Sequence, residues 1–238
     1  MSYAALVRPA IDRVYIGMRT AARDRVRLLT EQTGLRQGLN SSFYFGLLAR
    51  PMPAAAFAAV TAYGAGDMSD ELEQAIMAVD DAGTWSLTDT GHTYTLALQQ
   101  AIADAAQEQW GQTFRGALPG EAALPRLAEL LAVLLKAGEA TGGPAFGAAT
   151  PVYEPAGASY ALQVSTRLGA LRHHRGDAHR AAWAAAGLTL EQLRALSPGD
   201  PLRVSIEQDT NRRDEPIYEV LTETERWELL GLLAALPN

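Results

Sequence analysis

The chain has no cysteine, so disulfides, thiolate metal ligands and a cysteine nucleophile are excluded. It has a single lysine, Lys136, among twenty basic residues, so arginine carries nearly all the positive charge. No apolar run reaches the roughly 18 residues that a membrane span needs. The longest, "LAELLAVLLKAG" at 127–138, is interrupted by charge, and "LLGLLAAL" at 229–236 is short. The opening "MSYAALVRPAIDRVYIG" lacks the basic start and apolar core of a secretory leader. These absences predict a soluble, cytoplasmic protein with no membrane partner.

Catalytic signatures are missing too. There is no G-x-S-x-G nucleophile elbow and no H-E-x-x-H zinc motif. The glycines at 142–147 lack the Lys-Ser/Thr ending of a phosphate loop. The expectation is a protein that is not an enzyme and holds no metal or cofactor.

What is present is a chain of 238 residues, 48% hydrophobic, long enough for one large core or two small ones. Its formal charge is −7, unevenly placed. Residues 1–50 hold eight arginines against three acids; residues 51–166 hold three basic groups against thirteen acids. Residues 167–238 hold nine arginines against eleven acids. Partners respond to such local potential more than to the total.

Helical periodicity dominates. Ile11, Val14, Met18, Ala22 and Leu29 predict a long N-terminal helix ending near Gly34. An Ala-rich helix is predicted over 54–62. Ser69, followed by Asp70 and Glu71, looks like the N-cap of a helix that runs to 82 with Leu72, Ala75, Ile76 and Val79 buried. A short strand at 84–87 precedes a helix with Tyr94, Leu98, Ile102 and Ala105 on one face. Leu124, Leu127, Leu131 and Leu134 mark another, ending near Gly138. The Gly/Pro-rich stretch 140–159 reads as a linker.

Tyr160, Val164, Leu168 and Leu171 then lead into "LRHHRGDAHRAAW" at 171–183, which holds three of the four histidines. Gly176 is expected to break this helix and Asp177 to cap a new one, ended by Gly187. Metal binding by His173, Asp177 and His179 is weighed and set aside, because their spacing assures no shared face. Thr189 and Gln192 form a capping box for the next helix, giving a helix-turn-helix. Alternation in "LRVSIEQ" at 202–208, a polar tip "DTNRRDEP" and "IYEVL" at 217–221 predict a β-hairpin. Thr222 and Glu225 form a second capping box. The order helix, helix, strand, Leu-Thr, helix occurs twice, at "TWSLTDT" and "IYEVLTET".

The expected fold is therefore mainly α, with two winged-helix-like modules carrying short β-hairpins and packed with additional long helices. Residues 1–49 would be an N-terminal helical segment and 50–115 an acidic first module without an obvious wing. Residues 116–159 would hold a linking helix and linker, and 160–238 the second module. "LRHHRGDAHRAAWAAAGL", "FYFGLLARPMPAA" at 43–55 and "SLTDTGH" resemble the actinobacterial SalK-type helix-turn-helix proteins, a MarR-like tandem winged-helix group. The resemblance implies a two-module winged-helix fold and a role in transcriptional regulation.

On that reading double-stranded DNA is the partner, bound by the second module. Gln192 and Arg194 would read base edges, Arg212 and Arg213 would sit at the wing tip, and Arg175 and Arg180 would hold phosphates. A homodimer and a small-molecule effector go with it. Acids among these arginines, and the bulky Trp183 four residues before Gly187, count against it. The alternative is a winged-helix-derived ligand-binding or protein-interaction protein that does not bind DNA, with Phe43, Tyr44, Phe45, Phe57 and Tyr63 as pocket candidates.

Overall fold

The computed structural model describes residues 2–35, 41–64, 68–114 and 123–236. They are mainly helical, with one two-stranded antiparallel sheet. The N-terminal apolar stripe forms α1 (Tyr3–Ala21), capped by Ser2 Oγ, which accepts from the Ala5 amide. α2 (Arg23–Thr33) follows almost without a break. It ends at Gly34, whose left-handed φ of 70° suits a residue without Cβ.

Next come α3 (Ser41–Ala49), a β-bridge at Met52, α4 (Ala54–Val60) and α5 (Ser69–Glu73). An antiparallel hairpin of β1 (Met77–Val79) and β2 (Trp85–Leu87) comes after them, and Met52 pairs with Trp85 on its other edge. The helix expected to run from Ser69 to 82 is thus cut short. Met68, not Ser69, is the N-cap; Ala75 turns to φ 51° and the chain leaves as a strand. Ile76 stays buried while Leu72 and Val79 are exposed. The chain reverses through Gly83, at φ 79°. The hairpin therefore lies within residues 50–115, where no wing was expected.

α6 (Asp89–Phe114) buries Tyr94, Leu98, Ile102 and Ala105 as their spacing requires. α7 (Ala123–Gly138) buries Leu124, Leu127, Leu131 and Leu134. Each such side chain contributes about 1.5–3 kcal/mol of transfer free energy. The stretch expected as a linker contains α8 (Pro144–Ala149), whose Ala145, Phe146 and Ala148 are buried.

α9 spans Tyr160–Ala185 without interruption. Gly176 does not break it and Asp177 does not cap it: both lie in its third turn from the end, Asp177 buried with its carboxylate on α8 and Gly176 with open space where a Cβ would sit. A glycine inside a helix costs only about 1 kcal/mol relative to alanine, which tertiary packing overrides. Gly187 (φ 73°) and the Thr189–Gln192 capping box start α10 (Leu190–Ala195) as expected.

The second hairpin does not form. Residues 202–208 belong to α11 (Pro201–Asp214) and 217–219 to α12 (Pro216–Glu219). Asp200 caps α11 by accepting from the Leu202 amide, with Pro201 in its first turn. The buried residues are Ile206, Thr210 and Asp214, spaced by four; Leu202 and Val204, which suggested a strand face, are exposed. α13 (Glu223–Ala235) starts at the expected Thr222–Glu225 box.

One core joins α1, α6, α7, α9, α12 and α13, and a second gathers α3, the sheet and the other face of α6. Ala182, Leu193 and Ile206 tie α10 to α9 and α11. No helix among the described residues is long and apolar enough to cross a membrane.

Candidate functional site

α9 presents one flank to a cleft of about 600 Å3. α1 supplies Arg8, Asp12, Tyr15 and Arg19 to it, at helical steps of four, three and four that put them on one face. That face lies beside the buried stripe Val7, Ile11, Val14 and Met18. α9 supplies Arg172, His173, Arg175, His179 and Arg180, the heart of the histidine-rich stretch. The far wall is Val60 and Tyr63, and Glu207 of α11 closes the end.

Five arginines face this space against two carboxylates, Asp12 and Glu207, in a chain of net charge −7. Arg8 reaches both acids at 3.3 Å. Arg172 Nε lies 2.8 Å from Asp12, with its guanidinium 4.4 Å from the centre of the Tyr15 ring. Arg175 bonds Glu207 at 3.2 Å and the buried Asp214 at 3.3 Å. Arg180 pairs with Asp177 and donates to the Ala59 carbonyl. Arg19 differs: among the described residues it meets no carboxylate and lies instead against the rings of Tyr15 and Phe45, 5.7 and 6.0 Å from their centres.

The histidines of the cleft are neutral near pH 7. Burial pushes His173 down to about 4, with Asp177 opposing and Arg172 and Arg180 adding to the shift. Burial also lowers His179, against the opposing charge of Glu207. Tyr63 is raised by burial and keeps its proton. Its hydroxyl lies 3.0 Å from His179 Nδ1 and accepts from Trp183 Nε1 at 3.1 Å. The Tyr63 hydroxyl also donates to the Gly176 carbonyl at 3.4 Å, and His179 Nε2 faces Glu207 at 3.8 Å. Trp183, expected as an obstacle to helix packing, thus orders this wall.

The other polar residues of the stretch hold the fold. His174 is buried, with Nδ1 2.8 Å from Asp214 and Nε2 2.9 Å from Thr141 Oγ1. This hydroxyl–imidazole–carboxylate order is that of a hydrolase relay, yet none of the three lines the cleft. It ties α9 to α11 and to the turn after α7. Asp177 accepts from the Ala145 and Phe146 amides at 3.2 and 2.8 Å, so it caps α8 across space instead of its own helix. A Cβ on Gly143 would lie 2.7 Å from Asp177 Cγ, so glycine there lets the carboxylate reach the α8 amides.

The residues expected to contact DNA are dispersed and engaged. Arg175 and Arg180 face the cleft. Gln192 spends its carbonyl on the Thr189 amide, and Arg194 donates to the Tyr63 carbonyl at 2.9 Å. Arg212 and Arg213 close the last turn of α11 and pair with Asp209 at 2.9 and 3.0 Å. Of the aromatic pocket candidates only Tyr63 lines the cleft; Phe43, Tyr44 and Phe57 pack in the second core. Among the described residues no three His, Asp or Glu side chains converge as metal ligands. The α1 contribution went unread, although its four-three-four polar spacing was there to find.

No protein-family model matches the chain, and neither a curated protein nor a solved structure matches it significantly.

Proposed function

We propose that the protein binds a small organic anion in the cleft between α1, α4, α9 and α11. The observation that carries this reading is a cluster of five guanidinium groups around a space of ligand size, four of them paired with Asp12, Glu207, Asp177 and Asp214, and Arg19 without a carboxylate partner among the described residues. An overall negative molecule with a positive cleft repels bulk polyanions and still focuses field lines on small ones. Neutral His173 and His179 add orienting hydrogen-bond capacity without further charge.

The regulator reading keeps one favourable feature, the helix-turn-helix order of α9 and α10. The six residues it relies on, Arg175, Arg180, Gln192, Arg194, Arg212 and Arg213, are each held by bonds within the chain, which would have to be given up for phosphate or base contacts. Calorimetric titration with acetate, succinate, citrate and glycerol phosphate at low ionic strength tests the anion reading. At least one should bind one-to-one, and Arg172→Gln should weaken it tenfold or more. If none binds, while a DNA duplex is retained in an electrophoretic shift and released by Arg194→Ala, the regulator reading replaces it.

A further inference from the structure

A second cavity, of about 30 Å3, lies behind the cleft. Its walls are Met18 of α1, Phe45 of α3, Ile102 of α6, Ala149 at the end of α8, and Val152 just beyond it. The polar side chains around it are spoken for. Gln99 Nε2 donates to the Tyr153 carbonyl at 3.0 Å, and the Ser165 and Thr166 hydroxyls donate back to the Leu162 carbonyl. The interior is thus mainly apolar.

Tyr15, Arg19, Gly169 and His173 line both cavities and so form the neck between them. A Cβ on Gly169 would sit in ordinary contact with Tyr15 Cε2 at 3.5 Å, so a larger side chain there would extend across the neck. Arg19 brings a charge without a carboxylate partner among the described residues. His173 brings a ring for which no hydrogen bond is made among those residues. A cation and a neutral imidazole at the mouth of an apolar pocket match the two oxygens of a carboxylate attached to a short aliphatic group. The volume sets the size of that group. It exceeds the ~10–15 Å3 that one water needs and falls far below the ~150 Å3 cavity that admits a benzene ring.

We infer that the neck and inner cavity form a subsite for a short aliphatic carboxylate, its head on Arg19 and His173 and its aliphatic end against Met18, Phe45 and Ile102. This rests on the anion-binding reading and sharpens it to a ligand class. Each methylene buried strengthens binding about fourfold, so length and charge are separable.

Titration with isovalerate, acetate, isovaleramide and benzoate tests the subsite. Isovalerate should bind one-to-one and at least tenfold more tightly than acetate, and isovaleramide should give no detectable heat. Arg19→Gln should weaken isovalerate tenfold or more. Gly169→Leu, which favours the helix, should abolish its binding by filling the neck; circular dichroism and the unfolding midpoint establish that each variant is folded. Isovalerate no tighter than acetate, or unaffected by Arg19→Gln, would overturn the inference, as would benzoate binding more tightly than isovalerate. If succinate or citrate binds while isovalerate does not, the subsite fails and the cleft reading stands. If no anion binds, both fail.

Discussion

Asp177 ties α9 to α8 from the middle of the histidine-rich stretch. Its carboxylate meets two first-turn amides of α8 and the Arg180 guanidinium, all in a buried setting. Asp177→Ala would leave those amides without a partner, at a cost of about 1–3 kcal/mol each way such a group is stranded. Urea unfolding should register that loss, and hydrogen exchange at Ala145 and Phe146 should accelerate selectively; unchanged protection there would contradict the cross-helix cap. His173 gives a pH-dependent effect. Its folded pKa of about 4 lies below the ordinary 6.5, so the unfolded chain takes up the proton more readily between those values. Stability is therefore full above pH 6.5 and declines as pH falls toward 4. Asp177 opposes the shift and Arg172 and Arg180 reinforce it. His179 is shifted in the same direction, so His173→Gln should flatten the acid loss only in part. An identical pH profile in the variant would show that His173 contributes nothing.

At the scale of elements, what was legible and most of what was not share a cause; α8 is the exception, its buried Ala145, Phe146 and Ala148 lying in a stretch rich in glycine and proline. Stripes made of apolar residues were legible: the α1 stripe, Tyr94 to Ala105 on α6 and the leucines of α7 all lie where the periodicity put them. Capping boxes at Thr189 and Thr222 were legible because two residues satisfy each other locally. Stripes completed by polar residues were not. α9 continues Leu171 with His174 and Asp177, and α11 packs on Ile206, Thr210 and Asp214. Buried polar groups with long-range partners look like turn chemistry or a strand face when only sequence is in view. The same holds for α5, where buried Glu71 accepts from Tyr44 and the helix ends early. Tight packing of α6 on the residue before β1 supplies a test of the hairpin. A Cβ on Gly91 would overlap the Ile76 carbonyl, so Gly91→Ala should force α6 and the hairpin apart. It should lower the unfolding midpoint well beyond the roughly 1 kcal/mol range of ordinary surface changes. A gain in stability, which alanine's helix propensity alone would give, would contradict that packing.

For the whole molecule, charge segregation bears on which partners the surface suits. The basic N-terminal segment and the histidine-rich stretch, far apart in sequence, meet as α1 and α9 and concentrate guanidinium groups in one cleft. Sequence alone showed the segregation, but the cleft depends on which helix faces which, a property of the assembled core. The acids gather instead around α5 and the hairpin, with Asp70, Glu73, Asp80 and Asp81 exposed, so that face carries the wrong sign for a polyanion. The measurement that bears most directly on this account is a crystal structure with the tightest-binding anion of the titrations. The account predicts density between α1 and α9, within hydrogen-bonding distance of Arg19 or Arg172. A well-ordered anion seated instead against Arg194 on α10, or against Arg212 and Arg213 at the end of α11, would contradict it.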